Sequence, residues 1–321
     1  MKFLYFLEGI RNPVLDFFFS AITYFGDEIV FLAVSIIFFW CVDKKRGYYV
    51  LITGLIGTVI NQMMKLLFKV PRPWVKDPSF TIVESAREAA AGYSFPSGHT
   101  QNVAGTFGAI GATSKGKWAK ILSIAMIAAV ALSRMYLGVH TPLDVVVSLA
   151  IAAALLFILY PVFKTDESFK RYMPVVVIVS TVLSALFLLY VIFMPNKEAL
   201  DPHNLNSGMK NAATLFGCTA GLIAVYFVDT RYVNFRTDAP WYFQLVKIAV
   251  GFSGVMLIKS GLSSALVFLF GNEYVARSVR YFLIVIFSGI VWPLTFEYFA
   301  THRVKKLDEI TEKAAGKFSK K

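Results

Sequence analysis

Apolar runs about twenty residues long recur along the whole chain, separated by short stretches that carry most of the Lys and Arg. A bilayer core about 30 Å thick takes about 20 residues of helix. Backbone polar groups in lipid must also be satisfied within the segment, which leaves helices or closed barrels. The runs fall roughly at 28–43, 47–68, 97–113, 118–137, 141–163, 172–194, 209–228, 243–270 and 280–300. They predict an all-α, polytopic membrane helical bundle with about nine transmembrane helices. Composition agrees: 57% of the residues are hydrophobic and only 16% charged, against about 25% charged in soluble domains. The eighth run carries Lys247 and Lys259 and is expected to be broken or tilted. Residues 1–27 mix Arg11, Asp16 and Asp27 with Phe17, Phe18 and Phe19, a pattern suited to an amphipathic segment lying in the interface. An extra short span is the alternative there.

The net charge of +12 raises nucleic-acid binding as a possibility. The cations instead sit in short inter-helix stretches, with no basic helix or aromatic-interleaved basic patch, so no nucleic-acid partner is expected. Eighteen Lys and Arg fall in "DKKRG", "SKGKWAK", "KTDESFKR", "DTRYVNFR" and the tail from His302, all on one side of the alternating topology. Fewer fall on the other side, so the eighteen mark the cytoplasmic face. Cys41 and Cys218 each lie inside an apolar run, which suits packing better than a disulfide or a metal site. Glu8 and Arg11 interrupt any apolar centre at the start, so no cleavable signal peptide is expected. No internal repeat is visible, and the polar stretch 164–171 is the weakest seam.

Three polar pieces fall on the side opposite those eighteen cations. Lys65 is followed after six residues by Arg72 and Pro73 at the outer end of the second run. Pro96, Ser97, Gly98 and His99 open the third. Ser133 and Arg134 leave the fourth, and His140 and Asp144 open the fifth. His140 and Asp144, four apart, would share a helix face, and the carboxylate could then fix the imidazole tautomer. The other ring nitrogen would be left as a nucleophile. Lys65, Arg72 and Arg134 supply positive charge for a dianion. Ser97 and Gly98 start a helix whose free N–H groups suit an anion, and His99 is available for proton transfer. A lone interfacial His is usually a polar anchor, and a lone Lys or Arg at a span end usually snorkels. Two of the chain's four His at matching depth with three cations make a functional cluster the better explanation. His203 and His302 are expected to be solvated. No metal-ligand set is apparent, and no cofactor is expected.

Residues 65–73, 96–99 and 133–144 resemble the three-part signature of the type-2 phosphatidic acid phosphatase superfamily, K-x6-RP, PSGH and SR-x5-H-x3-D, without a departure. The resemblance covers about residues 10–164. It implies a helical-bundle core, metal-free phosphate-ester hydrolysis and a phosphohistidine intermediate. By that resemblance His140 is the nucleophile, Asp144 its orienting carboxylate and His99 the acid–base group. Lys65, Arg72, Ser97, Gly98 and Arg134 form the phosphate pocket. Some bacterial members begin with one more helix, which this chain is expected to lack. The chain then divides into an interfacial segment 1–27, a phosphatidic acid phosphatase-like catalytic core 28–164, additional transmembrane helices 165–300 and a basic cytoplasmic tail 301–321.

In span count and order the whole is similar to the glucose-6-phosphatase and sphingosine-phosphate phosphatase branches, a likeness that transfers no substrate. The expected activity is a lipid phosphate phosphatase in the cytoplasmic membrane, its site facing the extracytoplasmic side. Its substrate is expected to be phosphatidic acid or phosphatidylglycerol phosphate, with a polyprenyl diphosphate as the alternative. Vanadium haloperoxidases share the pocket chemistry but are soluble. A transporter would need polar groups at mid-membrane, where only Lys259 and Glu297 come near. Lys259, Arg277 and Arg280 lie toward the outer side of the last two runs, as interfacial anchors or as lipid head-group contacts.

Overall fold

The computed structural model describes residues 1–90, 92–195, 197 and 200–309, and among them every regular element is helical. The first half contains α1 (Lys2–Gly9), α2 (Pro13–Thr23), α3 (Glu28–Ile37), α4 (Lys44–Phe68), the single turn α5 (Pro73–Lys76), α6 (Gly98–Thr113), α7 (Lys117–Tyr136) and α8 (Pro142–Lys164). The second half contains α9 (Asp166–Phe193), α10 (Pro202–Val228), α11 (Trp241–Gly261), α12 (Ser263–Phe270), α13 (Glu273–Ile286) and α14 (Phe296–Thr301).

Seven stretches are long and apolar enough to cross a bilayer alone: Lys44–Lys76, Lys117–Tyr136, Pro142–Lys164, Asp166–Phe193, Pro202–Val233, Trp241–Gly261 and Glu273–Thr301. Pro13–Gly26 and Glu28–Val42, bent by 51°, make an eighth if counted as one span. The sequence predicts nine, and two short helices account for the difference. With 16 residues, α6 rises about 24 Å, less than the roughly 30 Å of a hydrocarbon core. It packs instead among α4, α7 and α8. The 28–43 run is helical only from Glu28 to Val42 and reaches span length together with the helix before it. The eighth run is broken as expected, α11 ending at Gly261 and α12 starting at Ser263.

The polar stretch 164–171 is not a loop. Thr165 alone separates α8 from α9, and its hydroxyl caps α9 by accepting from the Ser168 N–H. Side chains such as Phe157, Phe193 and Phe268 are 82%, 77% and 92% exposed. A belt of that kind suits lipid and would be a liability in water.

Buried along most of its length, α4 packs against α3, α6, α8, α9 and α10. At its Lys44 end the two halves of the chain are pinned together. The Trp40 indole N–H donates to the Ser288 carbonyl at 2.7 Å. Lys44 Nζ sits 3.0 Å from the Asp229 carboxylate and 3.9 Å from the centre of the Phe235 ring. The Lys44 end of α4 is thereby held against the segments that follow α10 and α13.

Candidate active site

The three polar pieces converge where the end of α4, the start of α6, the end of α7 and the start of α8 meet. Lys65 lies in the last turn of α4 and is 8% exposed; its ammonium donates to the Tyr93 carbonyl at 2.6 Å. Arg72 caps the turn α5. It donates through Nε to the Gly92 carbonyl at 3.0 Å and through Nη1 to the Val139 carbonyl at 2.9 Å. Ser97 is the N-cap of α6, its hydroxyl accepting from Thr100. Its N–H donates to the Asp144 carbonyl at 3.2 Å, and its own carbonyl accepts from the Ser148 hydroxyl at 2.8 Å. Ser97 therefore locks the start of α6 to the start of α8, and the N–H groups of Gly98 and His99 face outward from the helix start, where helices lack internal acceptors.

Arg134 is fully buried and donates through Nη1 to the Thr23 hydroxyl at 2.7 Å. Its carbonyl accepts from the N–H groups of both Val139 and His140. That tight return needs Gly138, which has φ +81°, a left-handed conformation other residues adopt at a cost. A Cβ at Gly138 would also lie 2.7 Å from Arg11 Nη2.

His140 and Asp144 come together by a different route from the one their spacing suggests. His140 precedes α8, whose N-cap is Thr141, so the two do not share a helix face. Asp144 closes a capping box: its Oδ2 accepts from the Thr141 N–H at 2.8 Å, and the Thr141 hydroxyl accepts from the Asp144 N–H. The same oxygen accepts from the Ser94 hydroxyl at 2.6 Å. His140 Nδ1 lies 3.5 Å from it, beyond good hydrogen-bond range.

The opposite nitrogen, Nε2, is 2.9 Å from Arg72 Nη1. A guanidinium can only donate, so Nε2 accepts, and the proton of the neutral ring sits on Nδ1, toward Asp144. Burial, reinforced by Arg72 and Lys65, holds the imidazole pKa well below its ordinary range. The ring is therefore neutral, with its lone pair facing the cations.

His99 has a partner that the motifs do not contain. Its Nε2 lies 2.7 Å from Asp27 Oδ1. Asp27 is the N-cap of α3 but makes no side-chain cap bond, which frees its carboxylate for the imidazole. The approach requires Gly26, where a Cβ would fall 2.8 Å from both the Cβ and the carbonyl oxygen of His99. Sequence reasoning places Asp27 in the interfacial segment, yet that segment spends its polar groups on the protein. Arg11 donates to the Tyr136 and Thr81 carbonyls, and Asp16 accepts from the Tyr136 hydroxyl at 2.7 Å. Thr23, Asp27 and Ser94 are the site residues that sequence reasoning misses. For Asp27 a signal exists: an acid directly after a glycine at the mouth of an apolar run.

Lys259, Arg277 and Arg280 do not join this cluster. Lys259 and Arg277 line a separate cavity, and Arg277 Nε donates to the Lys210 carbonyl and the Thr214 hydroxyl. Arg280 lies outside that lining and donates to the Ser263 hydroxyl. His203 and His302 are exposed, the latter stacked on Tyr298. Cys41 and Cys218 are free thiols.

Residues 46–168 match the PAP2 superfamily, and residues 210–303 match the PAP2 superfamily phosphatase, transmembrane extension. A curated relative, undecaprenyl-diphosphatase BcrC of Bacillus subtilis, is 30% identical over 155 residues, 47% of this chain and 76% of that protein. The chain belongs to the PAP2 superfamily. It is a multi-pass membrane phosphatase of that superfamily. Sphingosine-1-phosphate phosphatase 1 of Mus musculus is 25% identical over 181 residues, 54% of this chain but only 41% of that protein. Lipid phosphate phosphatase delta of Arabidopsis thaliana is 23% identical over 267 residues, 79% of this chain and 63% of the relative. No solved structure matches the chain. Lys65, Arg72, Ser97, Gly98, His99, Arg134, His140 and Asp144 all lie within the first matched region, whereas Thr23 and Asp27 precede it.

Proposed function

We propose that this protein hydrolyses a phosphate ester or diphosphate of a membrane lipid, through a phosphohistidine on His140, at the extracytoplasmic face. The observation that carries the mechanism is the His140 Nε2 lone pair held 2.9 Å from Arg72, with Asp144 behind the opposite nitrogen. Arg72, Lys65 and Arg134 take the phosphoryl oxygens together with the Gly98 and His99 N–H groups. Nε2 attacks phosphorus, the bond to the leaving oxygen breaks, and His99 protonates that oxygen. His99 then takes a proton from water, the resulting hydroxide attacks phosphorus, and the P–N bond returns its electron pair to Nε2. Inorganic phosphate and the dephosphorylated lipid are the products. Asp27 acts as a positioning residue that stabilises the His99 imidazolium between the two steps.

The relatives' names give the substrate range to try. Phosphate release from purified protein should be measured on a polyprenyl diphosphate, sphingosine 1-phosphate, phosphatidic acid, phosphatidylglycerol phosphate and a water-soluble sugar phosphate. At least one lipid should be hydrolysed far faster than the sugar phosphate. Equal or faster hydrolysis of the sugar phosphate would overturn a lipid substrate. Three side-chain cations stand where a metal would otherwise neutralise charge, and no cluster of three or more potential metal-ligating His, Cys, Asp or Glu side chains occurs among the described residues. Activity should therefore survive EDTA and fall with vanadate, a mimic of pentacoordinate phosphate. Loss in chelator that magnesium restores would count against this mechanism.

Orientation rests on the eighteen Lys and Arg of one face. In a background without Cys41 and Cys218, Ser85→Cys should react with an impermeant maleimide in intact cells, and Ser319→Cys should react only after lysis. The reverse pattern would place the site in the cytoplasm.

A further inference from the structure

A cavity of about 580 Å³ is lined by α3, α4, α10, α11 and α13. Its polar groups gather at one end. Glu28 at the start of α3, Asn211 early in α10, Lys259 late in α11 and Arg277 early in α13 all belong to outer helix ends. Below them the lining is almost wholly apolar, down to Phe39, Tyr48 and Ser288. Glu28 to Phe39 along α3, and Arg277 to Ser288 along α13, each span about 16 Å at 1.5 Å per residue. That is close to one leaflet of a hydrocarbon core of roughly 30 Å.

The cavity adjoins the catalytic site at two places. Asn211 also lines a small polar notch of about 80 Å³ whose other wall includes Lys65. Glu28 directly follows Asp27, the partner of His99. A side opening lies between α3 and α11, where Ile29 and Met256 are 57% and 42% exposed.

Resting on the proposed lipid phosphatase activity, we propose that this cavity receives a hydrocarbon chain of the substrate. The chain enters sideways past Ile29 and Met256, its head end stops at the Lys259 and Arg277 rim, and the phosphate reaches through the notch to Lys65. The matched transmembrane extension thereby acquires a task, since it supplies α10, α11 and α13 as the outer wall.

The test uses hexadecylphosphonate, whose C–P bond resists hydrolysis, carrying a photoreactive diazirine at the chain end. After photolysis of the full-length protein, adducts should map to peptides containing Phe39, Tyr48 and Ser288. Moving the diazirine beside the phosphonate should shift them to Asn211 and Lys259. Adducts confined to the outward faces of α7, α8 and α9, or no adducts, would overturn the proposal. Hydrolysis of long-chain lipid phosphates would be unaffected by that outcome, so the lipid phosphatase activity stands or falls separately. As a second arm, Ala33→Phe fills the cavity from α3. It should lower the kcat/KM ratio of hexadecyl over butyl phosphate about tenfold or more, and an unchanged ratio would equally overturn the chain site.

Discussion

His140→Ala should abolish phosphate release from lipid and nitrophenyl substrates alike, by about 10⁴-fold or more, the scale seen when a nucleophile that works in a concerted set is removed. The expectation follows from where the side chain sits. His140 is 1% exposed, accepts from Arg72, and has Lys65 and Arg134 at the same pocket. A pocket of three buried cations with no nucleophile can still bind phosphate, so the variant should retain vanadate binding while forming no phosphoenzyme. Acid-quench trapping with radiolabelled substrate measures this directly. Label retained on His140→Ala protein would show that another group attacks.

Asp144→Asn should be intermediate, with a loss of roughly 10² to 10⁴ on both substrates. Its carboxylate holds the Nδ1 side of the ring in place, while the capping box and the Ser94 contact persist in part. A loss equal to that of His140→Ala would mean that Asp144 does more than orient the ring.

The pieces of the proposed site were legible as a cluster because each is local. A Lys and an Arg seven apart across a helix end, a helix-starting Ser-Gly-His, and an Arg, His and Asp around one turn carry their chemistry in short windows. Alternation of apolar runs then puts the windows at one depth. What those windows could not convey is how the groups meet. The His140–Asp144 pair looks like a helical i,i+4 contact and is in fact a contact across an N-cap, because Thr141 starts the helix between them. Asp27 carries a signal of its own, but its partner was illegible for the opposite reason. Asp27 lies far from His99 in sequence, and only the close packing of Gly26 against His99 reveals the pairing.

Span counting succeeded where one helix is long enough to cross alone and overshot at the two short helices α3 and α6. Sheltered by α4, α7 and α8, α6 need not match the bilayer thickness. Lys259 and Arg277 were legible as cations near helix ends, but the cavity beside them depends on how five helices splay, which no single segment encodes.

The second large effect separates the two histidines by leaving group. His99→Ala should cut hydrolysis of an alkyl lipid phosphate by roughly 10² to 10⁴-fold, the usual contribution of a positioned acid. It should cost nitrophenyl phosphate much less, because a nitrophenolate departs tolerably without a proton. Asp27 extends the argument beyond the motifs. Its carboxylate, 2.7 Å from His99 Nε2, favours the imidazolium, while burial first, and then Arg134 and Arg72, oppose it and hold the His99 pKa below the ordinary imidazole range. Removing the carboxylate should therefore leave His99 in place but harder to protonate.

Asp27→Asn should then lose alkyl phosphate activity selectively, as His99→Ala does but less deeply. The alkaline limb of its pH–rate profile for the alkyl substrate should move to lower pH, since the group that must be protonated now binds its proton more weakly. Asp27→Glu should recover part of the loss. A variant that is simply misfolded would lose both substrates together and shift neither limb. Equal losses on the two substrates with an unmoved profile would reduce Asp27 to a structural contact at the start of α3. Retention of nitrophenyl activity by His140→Ala, with loss of both activities in His99→Ala, would exchange the two histidines' roles.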